Sequence, residues 1–254
     1  MPPETPVIFF LPHQDDEMFL AGSISRFIQE GRVVHAVMAS DGGASSVRAM
    51  LNGRDERGQP AFCLYHGRFH SPEREGYAPL DGREFSAARN REFKDSMLKL
   101  GVLPQNIHFA NPGGAAGSDY PRYRDGRLTA ELSAEIIGRF YRLFGDGTYI
   151  TLGSRKGESQ HLNPDHLALG EALRHLSGIT DKRFYTDKEK PAAPSFLSAR
   201  EQASKYQALL SYSVWEPGQG RFAIGAHSVK YLLDEWENKP VEYAIQLDIA
   251  SQNE

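Results

Sequence analysis

The stretch Val7–Ile24 reads VIFFLPHQDDEMFLAGSI, and the rest of the chain is best interpreted from it. Its first five residues are all apolar, which is typical of a short buried strand. The residues from Met18 onward have the character of a helix. One histidine and three acids therefore lie where a strand passes into a helix. In open α/β sheets, this carboxyl end of a strand is where ligands bind.

The residue types in this turn are those of a metal site. His13 and Asp16 are three residues apart, so their side chains can lie on one side of the turn. An imidazole nitrogen and a carboxylate oxygen there make two ligands of a zinc site. Asp15 is expected to point elsewhere, free to transfer protons. A further ligand must come from a distant segment, and the best candidate is His161–His166 (HLNPDH), which again precedes a predicted helix.

Each of these residues also has an ordinary structural explanation. A histidine after a strand is often a hydrogen-bonded structural residue, and an aspartate at the start of a helix is often an N-cap. Acids in this position also suit the positive end of the helix dipole. The presence of two such clusters, both at strand-to-helix turns, favours a functional role. The residues alone leave the structural alternative open.

Length and composition restrict the class of protein. The chain has 254 residues, of which 40% are hydrophobic and 24% charged, as expected for a globular protein with a substantial core. The net charge of −4 and the lack of a basic stripe give no reason to expect nucleic acid as a partner. A single cysteine, Cys63, excludes an internal disulfide. No signal peptide or membrane span is recognisable, so a cytoplasmic location is expected.

Predicted strands and helices alternate through residues 1–186, which indicates an α/β fold. We expect a mostly parallel sheet with helices on both faces, and long loops that form a pocket at the carboxyl ends of the strands. No convincing domain boundary is visible. The whole chain, 1–254, is therefore predicted to be a single domain, with a motif-bearing core at 1–176 and a C-terminal extension of the same domain at 177–254.

Other loops supply candidate substrate-binding residues. Asp41 and Gly42 follow the second predicted strand, and glycine there allows a ligand to approach the backbone. Arg89 lies near the start of a predicted helix, Ser86–Leu100, and is a candidate for gripping an anionic or hydroxyl-rich ligand. The long loops at 47–84 and 111–127 are expected to determine substrate specificity.

The loop at 47–84 contains the cysteine and two histidines. His66 and His70 are four residues apart, but Gly67 and Pro72 argue against a stable helix that would align them. We expect both to be exposed loop histidines that help to form the pocket wall. Cys63 has no obvious paired base and is interpreted as a passive, semi-buried thiol.

Three motifs resemble those of one family. Pro12–Glu17 (PHQDDE) resembles the P-H-P-D-D-E signature of the LmbE/PIG-L family of zinc-dependent N-deacetylases. Asn163–Ala168 (NPDHLA) resembles the second motif of that family, H-P-D-H-x-A. Arg89–Glu92, with Leu100-Gly101 further on, is similar to the R-x-x-E…LG helix. The motifs occur in the family's order, which makes the set more specific than any single one.

The resemblance implies a Rossmann-like fold that binds zinc and not a dinucleotide. By that resemblance His13, Asp16 and His166 are the metal ligands, Asp15 is the general base and Arg89 contacts substrate. Zn²⁺ is the expected metal, although two histidines and a carboxylate also suit Fe²⁺. Relatives are often oligomeric, so a homo-oligomer is a further expectation.

Two positions depart from the family pattern. Gln14 replaces a proline and removes no ligand. Asn163 stands where the second motif has a histidine that is expected to be a protonated partner for the oxyanion. We hypothesise that His161 takes this place, with Asp165 orienting or charging an imidazole.

The function implied by the resemblance is metal-dependent amide hydrolysis. The enzyme would remove an N-acetyl or other N-acyl group from a small amino-sugar substrate that contains N-acetylglucosamine, through a zinc-activated water. One alternative is an amidase acting on a glycosylated thiol conjugate. Another is a sugar-binding protein that keeps the fold but has weakened catalysis, which the asparagine at position 163 favours.

Overall fold

The apolar run Val7–Leu11 is a strand of the main sheet, as its sequence predicts. The computed structural model describes residues 5–111, 121–153, 155, 158 and 163–247. Within them the strands are, in chain order, β1 Val7–Leu11, β2 Val34–Met38, β3 Phe62–Cys63, β4 Arg68–Phe69, β5 Ile107–Phe109, β6 Thr148–Leu152, β7 Asp181–Thr186, β8 Ala193–Phe196, β9 Trp215–Glu216, β10 Arg221–Phe222 and β11 Val241–Leu247.

The described α-helices alternate with the strands through the first part of the chain and continue to its C-terminal part. They are α1 Ala21–Gln29, α2 Val47–Leu51, α3 Pro72–Glu75, α4 Gly82–Leu100, α5 Ala130–Phe144, α6 Pro164–His175, α7 Ala199–Leu209 and α8 Ile224–Trp236. None of these helices combines the length and the apolar character that a membrane span requires.

Seven of the described strands form the main sheet, in the order β5-β2-β1-β6-β7-β11-β8. The first five are parallel to one another, whereas β11 runs antiparallel to both β7 and β8. The prediction of a mostly parallel sheet is therefore confirmed. From β1 the chain first builds outward to β2 and β5, and then returns to add β6 and β7 on the other side. The order reverses between β1 and β6, and a crevice at such a switch point is where α/β proteins bind ligands.

Helices cover both faces of the sheet, as predicted. Alternate side chains of a strand point to opposite faces. β1 therefore contributes residues to the hydrophobic core on each face of the sheet. Phe9 and Leu11 pack on one face with residues of α1, α4, α7 and α8. Ile8 and Phe10 pack on the other face with residues of α5 and α6. Because β1 is buried on both sides, its position is fixed, and the loop that follows it begins from a rigid point.

α4 begins earlier than its apolar pattern predicts. Asp81 is its N-cap and accepts a hydrogen bond from the backbone N–H of Glu84, while the Glu84 carboxylate accepts one from the N–H of Asp81. This capping box satisfies two backbone donors at the start of the helix. The helix therefore starts at Gly82, and Arg89 lies well inside it. Predicting the start at Ser86 was wrong because the polar first turn has no apolar periodicity.

Candidate metal centre

The two segments that carry the predicted ligands meet at the carboxyl ends of β1 and β6. These strands are parallel neighbours, in register from Val7 opposite Thr148 to Phe9 opposite Ile150. β1 leads into a 3₁₀ helix, Asp16–Phe19, and the chain after β6 leads into α6. Because parallel neighbours end at the same edge, residues far apart in sequence are brought together there.

Three side chains converge on one point at this edge. His13 Nδ1 lies 3.2 Å from Asp16 Oδ2 and 3.2 Å from His166 Nε2. His166 Nε2 lies 3.1 Å from the same oxygen of Asp16. All three residues are buried. Two imidazole nitrogens and one carboxylate oxygen in this arrangement could hold a metal ion, and this donor set is typical of catalytic zinc sites.

Two carboxylates fix the orientation of the His13 ring. His13 Nε2 lies 3.2 Å from Asp125 Oδ1 and 3.2 Å from Asp165 Oδ2. In the neutral ring, Nε2 therefore carries the proton and Nδ1 presents its lone pair to the point of convergence. Asp165 is itself held by the backbone N–H groups of Gly126 and Leu128, at 2.7 and 3.0 Å. Metal-ligating histidines commonly have such a carboxylate on their second nitrogen.

The charges of the site favour a bound cation. Burial lowers the pKa of His13, but the Asp16 carboxylate and the hydrogen bonds to surrounding carboxylates outweigh this and hold its pKa well above the usual value. Burial raises the pKa of Asp16, but His166 and His13 outweigh this and hold its pKa well below the usual range. These shifts show that the buried cluster stabilises positive charge. A divalent ion at the convergence point would supply this charge in place of the proton that His13 otherwise binds. The residues present fit such an ion.

The carboxyl group of Asp15 lies beside the three ligands. Burial raises its pKa, against the lowering effect of Arg89. Arg89 is itself buried; its Nη2 lies 3.5 Å from Asp15 Oδ2, and its Nη1 donates to the carbonyl oxygen of Gly42 at 3.0 Å. A buried carboxyl group with a raised pKa, next to a metal site, has the properties of a general base.

A cavity of about 360 Å³ opens onto this cluster. The three converging residues line it, together with Asp15, Arg89 and Asp125. The loop before α2 and the helix α8 complete the lining with Ser45, Ser46, Ser228, Val229 and Tyr231. A neighbouring cavity of about 420 Å³ shares Ala44 and Asp125 with it and is also lined by Asp41 and Gly43.

The remaining predicted substrate residues, Asp41 and Gly42, lie in the loop between β2 and α2. Asp41 lines the neighbouring cavity, and its Oδ1 accepts hydrogen bonds from the N–H groups of Asp125 and Gly43 at 2.7 and 3.2 Å. Gly42 has a φ of +66°, a conformation in which a larger residue would be strained, and its carbonyl faces Arg89. These contacts position Asp125 and Arg89 next to the cluster.

The second motif is only partly within the described residues. His161 lies outside them, so its predicted role stays a prediction. Asn163 is the N-cap of α6, and its side chain accepts a hydrogen bond from the N–H of Asp165 at 2.8 Å. Pro164 follows at the first helical position, where a missing N–H costs nothing. An asparagine in place of the motif histidine therefore starts the helix that presents Asp165 and His166.

Sequence reasoning did not identify Asp125. This residue is followed by Gly126, and the pair is the common signal of a turn. In the structure Asp125 contacts His13 and lies 3.5 Å from Arg89. Burial would raise the pKa of Asp125, but the hydrogen bond to His13 and the charges of His13 and Arg89 outweigh it and lower this pKa to about 2. Asp125, an acidic residue of a turn, is thus one of the carboxylates that surround the predicted ligand His13.

Fold and site together define a Rossmann-like α/β protein with a buried His/Asp/His cluster at the switch point of its sheet. The sequence profile of the PIG-L family, described as GlcNAc-PI de-N-acetylase, matches residues 8–177. The chain belongs to this family, as its motifs predict. A comparison with curated protein sequences found no match.

Solved structures with a similar fold include two deacetylases. N,N'-diacetylchitobiose deacetylase from Pyrococcus horikoshii has a TM-score of 0.57 and 16% identity, over 97% of this chain and 85% of the other. The zinc-inhibited form of teicoplanin deacetylase Orf2 has a TM-score of 0.54 and 15% identity, over 96% of this chain and 100% of the other. GalB, the 4-carboxy-2-hydroxymuconate hydratase of Pseudomonas putida, has a TM-score of 0.52 and 14% identity, over 96% of each chain. At these identities the likeness establishes the fold alone.

Proposed function

We propose that this protein is a metal-dependent deacetylase that removes the N-acetyl group from an N-acetylglucosamine unit. The observation that carries the proposal is the convergence of His13, Asp16 and His166 on one point, with the carboxyl group of Asp15 beside them. The family's description as a GlcNAc-PI de-N-acetylase supports the choice of an N-acetylated amino sugar. In the proposed reaction water adds to the amide carbonyl, the C–N bond breaks, and acetate and a free amine leave.

The three converging side chains would hold the metal, and Zn²⁺ is the ion that this donor set suits best. When bound, the ion supplies Lewis-acid chemistry, polarising the amide carbonyl and lowering the pKa of water. Asp125 and Asp165 hold the His13 ring in the tautomer that ligation requires. The role of these carboxylates is therefore to position a ligand and to balance its charge.

Asp15 is proposed to carry the proton. As a carboxylate it accepts a proton from the attacking water, and it then returns this proton to the leaving amine nitrogen. Its raised pKa makes it a stronger base than an exposed aspartate. Arg89, at 3.5 Å, keeps the carboxyl group in place and favours its ionised form. His161 remains the proposed hydrogen-bond donor to the oxyanion.

The proposal is tested by measuring metal content and acetate release together. Protein stripped with a chelator and reloaded with Zn²⁺ is offered N-acetylglucosamine, N,N'-diacetylchitobiose, an N-acetylglucosaminyl phosphatidylinositol and a glycosylated thiol conjugate. Wild type is compared with Asp15→Asn and Asp16→Asn. The control is Asp234→Asn, which changes an exposed aspartate of α8 that pairs with Lys230.

We expect Asp15→Asn to retain the metal and lose about 10²–10⁴-fold in turnover, the usual contribution of general acid–base catalysis. Asp16→Asn should lose both the metal and the activity, and the control should match wild type. Turnover of Asp15→Asn near the wild-type rate would refute the assignment of the base. Release of acetate only from the thiol conjugate would favour the amidase alternative.

One observation favours a second candidate, a sugar-binding protein with weakened catalysis. The family histidine of the second motif is replaced by Asn163, whose side chain is occupied as the N-cap of α6. Calorimetry distinguishes the two functions. A binding protein would bind members of the sugar panel in its zinc-loaded form and release no acetate over many hours.

A further inference from the structure

A second group of metal-ligating side chains lies apart from the candidate metal centre. Cys63 ends β3, His66 lies in the turn of the β3–β4 hairpin, His70 follows β4, and His227 belongs to α8. One ligand atom of each lies within 4.8 Å of those of the other three. We call these four residues the cysteine–histidine cluster. It shares no residue with the candidate metal centre.

Two distances within the cluster match those of a tetrahedral site. His66 Nδ1 lies 3.4 Å from His70 Nε2 and 3.3 Å from His227 Nε2. With Zn–N distances of about 2.0–2.1 Å, two nitrogen ligands of a tetrahedral ion lie about 3.3–3.4 Å apart. His66 Nδ1 thus already lies at the separation from both other imidazole nitrogens that one ion would impose.

Neutral imidazoles supply too few protons for these nitrogens. His227 Nδ1 lies 2.7 Å from the carbonyl oxygen of Ala223, which can only accept, so Nδ1 carries the proton of the neutral ring. His70 Nδ1 lies 3.0 Å from the Glu75 carboxylate and carries its proton for the same reason. The Nε2 lone pairs of both rings then face His66 Nδ1, which can hold a single proton. A cation between the three nitrogens satisfies all of them.

The surroundings match those of a structural zinc ion. Cys63 is completely buried, and its Sγ accepts a hydrogen bond from the N–H of His66 at 3.3 Å. A carboxylate on His70 and a backbone carbonyl on His227 are the usual partners of metal-bound histidines. The indole of Trp215 covers the cluster, with ring centroids 4.5 Å from His66 and 5.0 Å from His70.

We propose that the cysteine–histidine cluster binds Zn²⁺ and joins the β3–β4 hairpin to α8. Four protein ligands leave no open position, so the site is structural and takes no substrate. The neighbours of His227 in α8, Ser228 and Val229, line the cavity of the candidate metal centre. The ion would therefore fix one wall of that cavity. The proposal does not depend on the proposed deacetylase activity.

This assignment replaces the sequence-based expectation for the loop at 47–84. His70 is buried and not exposed, so that expectation was wrong for this residue. The signal was present in the sequence as C-x₂-H-x₃-H over Cys63–His70, a short-range spacing suited to one metal ion. The fourth ligand, His227, is too distant in sequence to be recognised without the fold.

Cobalt substitution tests the proposal directly. Because Cys63 is the single cysteine of the chain, a thiolate-to-cobalt charge-transfer band in the near ultraviolet can come from this cluster alone. We expect the wild-type protein loaded with Co²⁺ to show this band and to bind two metal ions per chain. Wild-type protein that is saturated with Co²⁺ but lacks the band would overturn the proposal. This measurement requires no variant.

Variants separate the two sites. Cys63→Ser should lose the band and bind one ion per chain, whereas Asp16→Asn should keep the band and lose the other ion. His175→Ala, which removes an exposed histidine of α6, should keep both. A band that survives in Cys63→Ser would refute the assignment. Failure of the proposed activity would leave the band unchanged, so the two proposals fail independently.

Discussion

His13 Nδ1 lies 3.2 Å from His166 Nε2, although the two residues are 153 positions apart in the sequence. β1 and β6 are parallel neighbours, and this pairing brings the loops after them to one edge of the sheet. A proton shared between the nitrogens would bring one positive charge to a ring that also contacts the carboxylates of Asp16, Asp125 and Asp165. A divalent ion would bring two positive charges and would contact both nitrogens. The topology of the sheet thus determines where the candidate metal centre lies.

The first prediction concerns Asp165, whose carboxylate accepts a hydrogen bond from Nε2 of His13. Asp165→Asn keeps the size of the side chain but removes one acceptor oxygen and the charge. We expect the affinity for Zn²⁺ to fall by about 10–100-fold, as is usual when the partner of a metal-ligating histidine is changed. Competition with a chromogenic chelator measures this affinity.

The matched control is Asp81→Asn at the N-cap of α4, because asparagine is as good an N-cap as aspartate. This variant should keep the wild-type affinity for the metal. If Asp165→Asn bound Zn²⁺ as tightly as Asp81→Asn, the carboxylate would have no part in orienting His13.

The second prediction concerns the charge of Arg89 beside Asp15. Arg89 lowers the pKa of Asp15 against the larger, raising effect of burial. Arg89→Met removes the lowering effect, so Asp15 should stay protonated to a higher pH. The acidic limb of the profile of kcat/KM against pH should therefore move upward by about 1 pH unit or more. Arg89→Lys keeps the charge and should move this limb less, and equal shifts in both variants would contradict the electrostatic explanation.

The sequence was sufficient to predict the central strands of the sheet. It also led to a hypothesis for the set of metal ligands. β1 is a continuous apolar run because it is buried on both faces, and the apolar residues of β2 and β6 have the same cause. Strand ends in a parallel sheet share one edge, so motifs at strand ends could be placed together before the structure was known.

Other features could not be predicted because they depend on tertiary contacts. α8 has non-helical backbone angles at Val229, and this kink interrupts the apolar period that would have revealed the helix. Asp125 lies in an Asp-Gly turn whose sequence indicates local geometry and nothing about His13. The cysteine–histidine cluster depends on the packing of α8 against a loop that is distant in sequence.

The third prediction concerns a buried ion pair between α7 and β11, whose carboxylate also contacts the start of α1. Lys205 and Glu242 are completely buried, with Nζ 3.2 Å from Oε1. Glu242 also accepts hydrogen bonds from the N–H groups of Gly22 and Ser23 at the start of α1. Glu242→Ala leaves a buried ammonium and these donors without an acceptor, and we expect a loss of about 3–5 kcal/mol in the free energy of unfolding.

Lys205→Met should cost less, because Glu242 keeps its backbone donors and the positive end of the α1 dipole. Urea denaturation of the metal-loaded protein measures both variants. Lys230→Met, in the exposed pair with Asp234, is the control and should change the free energy of unfolding by less than about 1 kcal/mol. A larger loss in Lys205→Met than in Glu242→Ala would show that the carboxylate is not the organising group.

The last prediction concerns the effect of acid on the neighbouring histidines of β2 and β5. His35 Nδ1 lies 3.1 Å from His108 Nε2, and the His35 ring stacks on Phe144. Burial, with a smaller contribution from His108, lowers the pKa of His35 to about 4, and burial also lowers the pKa of His108. Between about pH 4 and pH 6.5, the His35 imidazole therefore binds more protons in the unfolded chain than in the folded protein. The stability that neutral His35 contributes is complete above this range and is lost as the pH falls towards 4.

Substitution of His35 by leucine should remove this dependence. Between pH 7 and pH 5, wild type should lose about 1–2 kcal/mol more of its free energy of unfolding than His35→Leu does. Urea denaturation at the two pH values gives both losses. His175→Leu changes an exposed histidine that pairs with Glu171 and should follow wild type. The same loss in wild type and His35→Leu would mean that His35 is protonated in the folded protein as readily as in the unfolded chain, and burial in the sheet would then not keep this imidazole neutral.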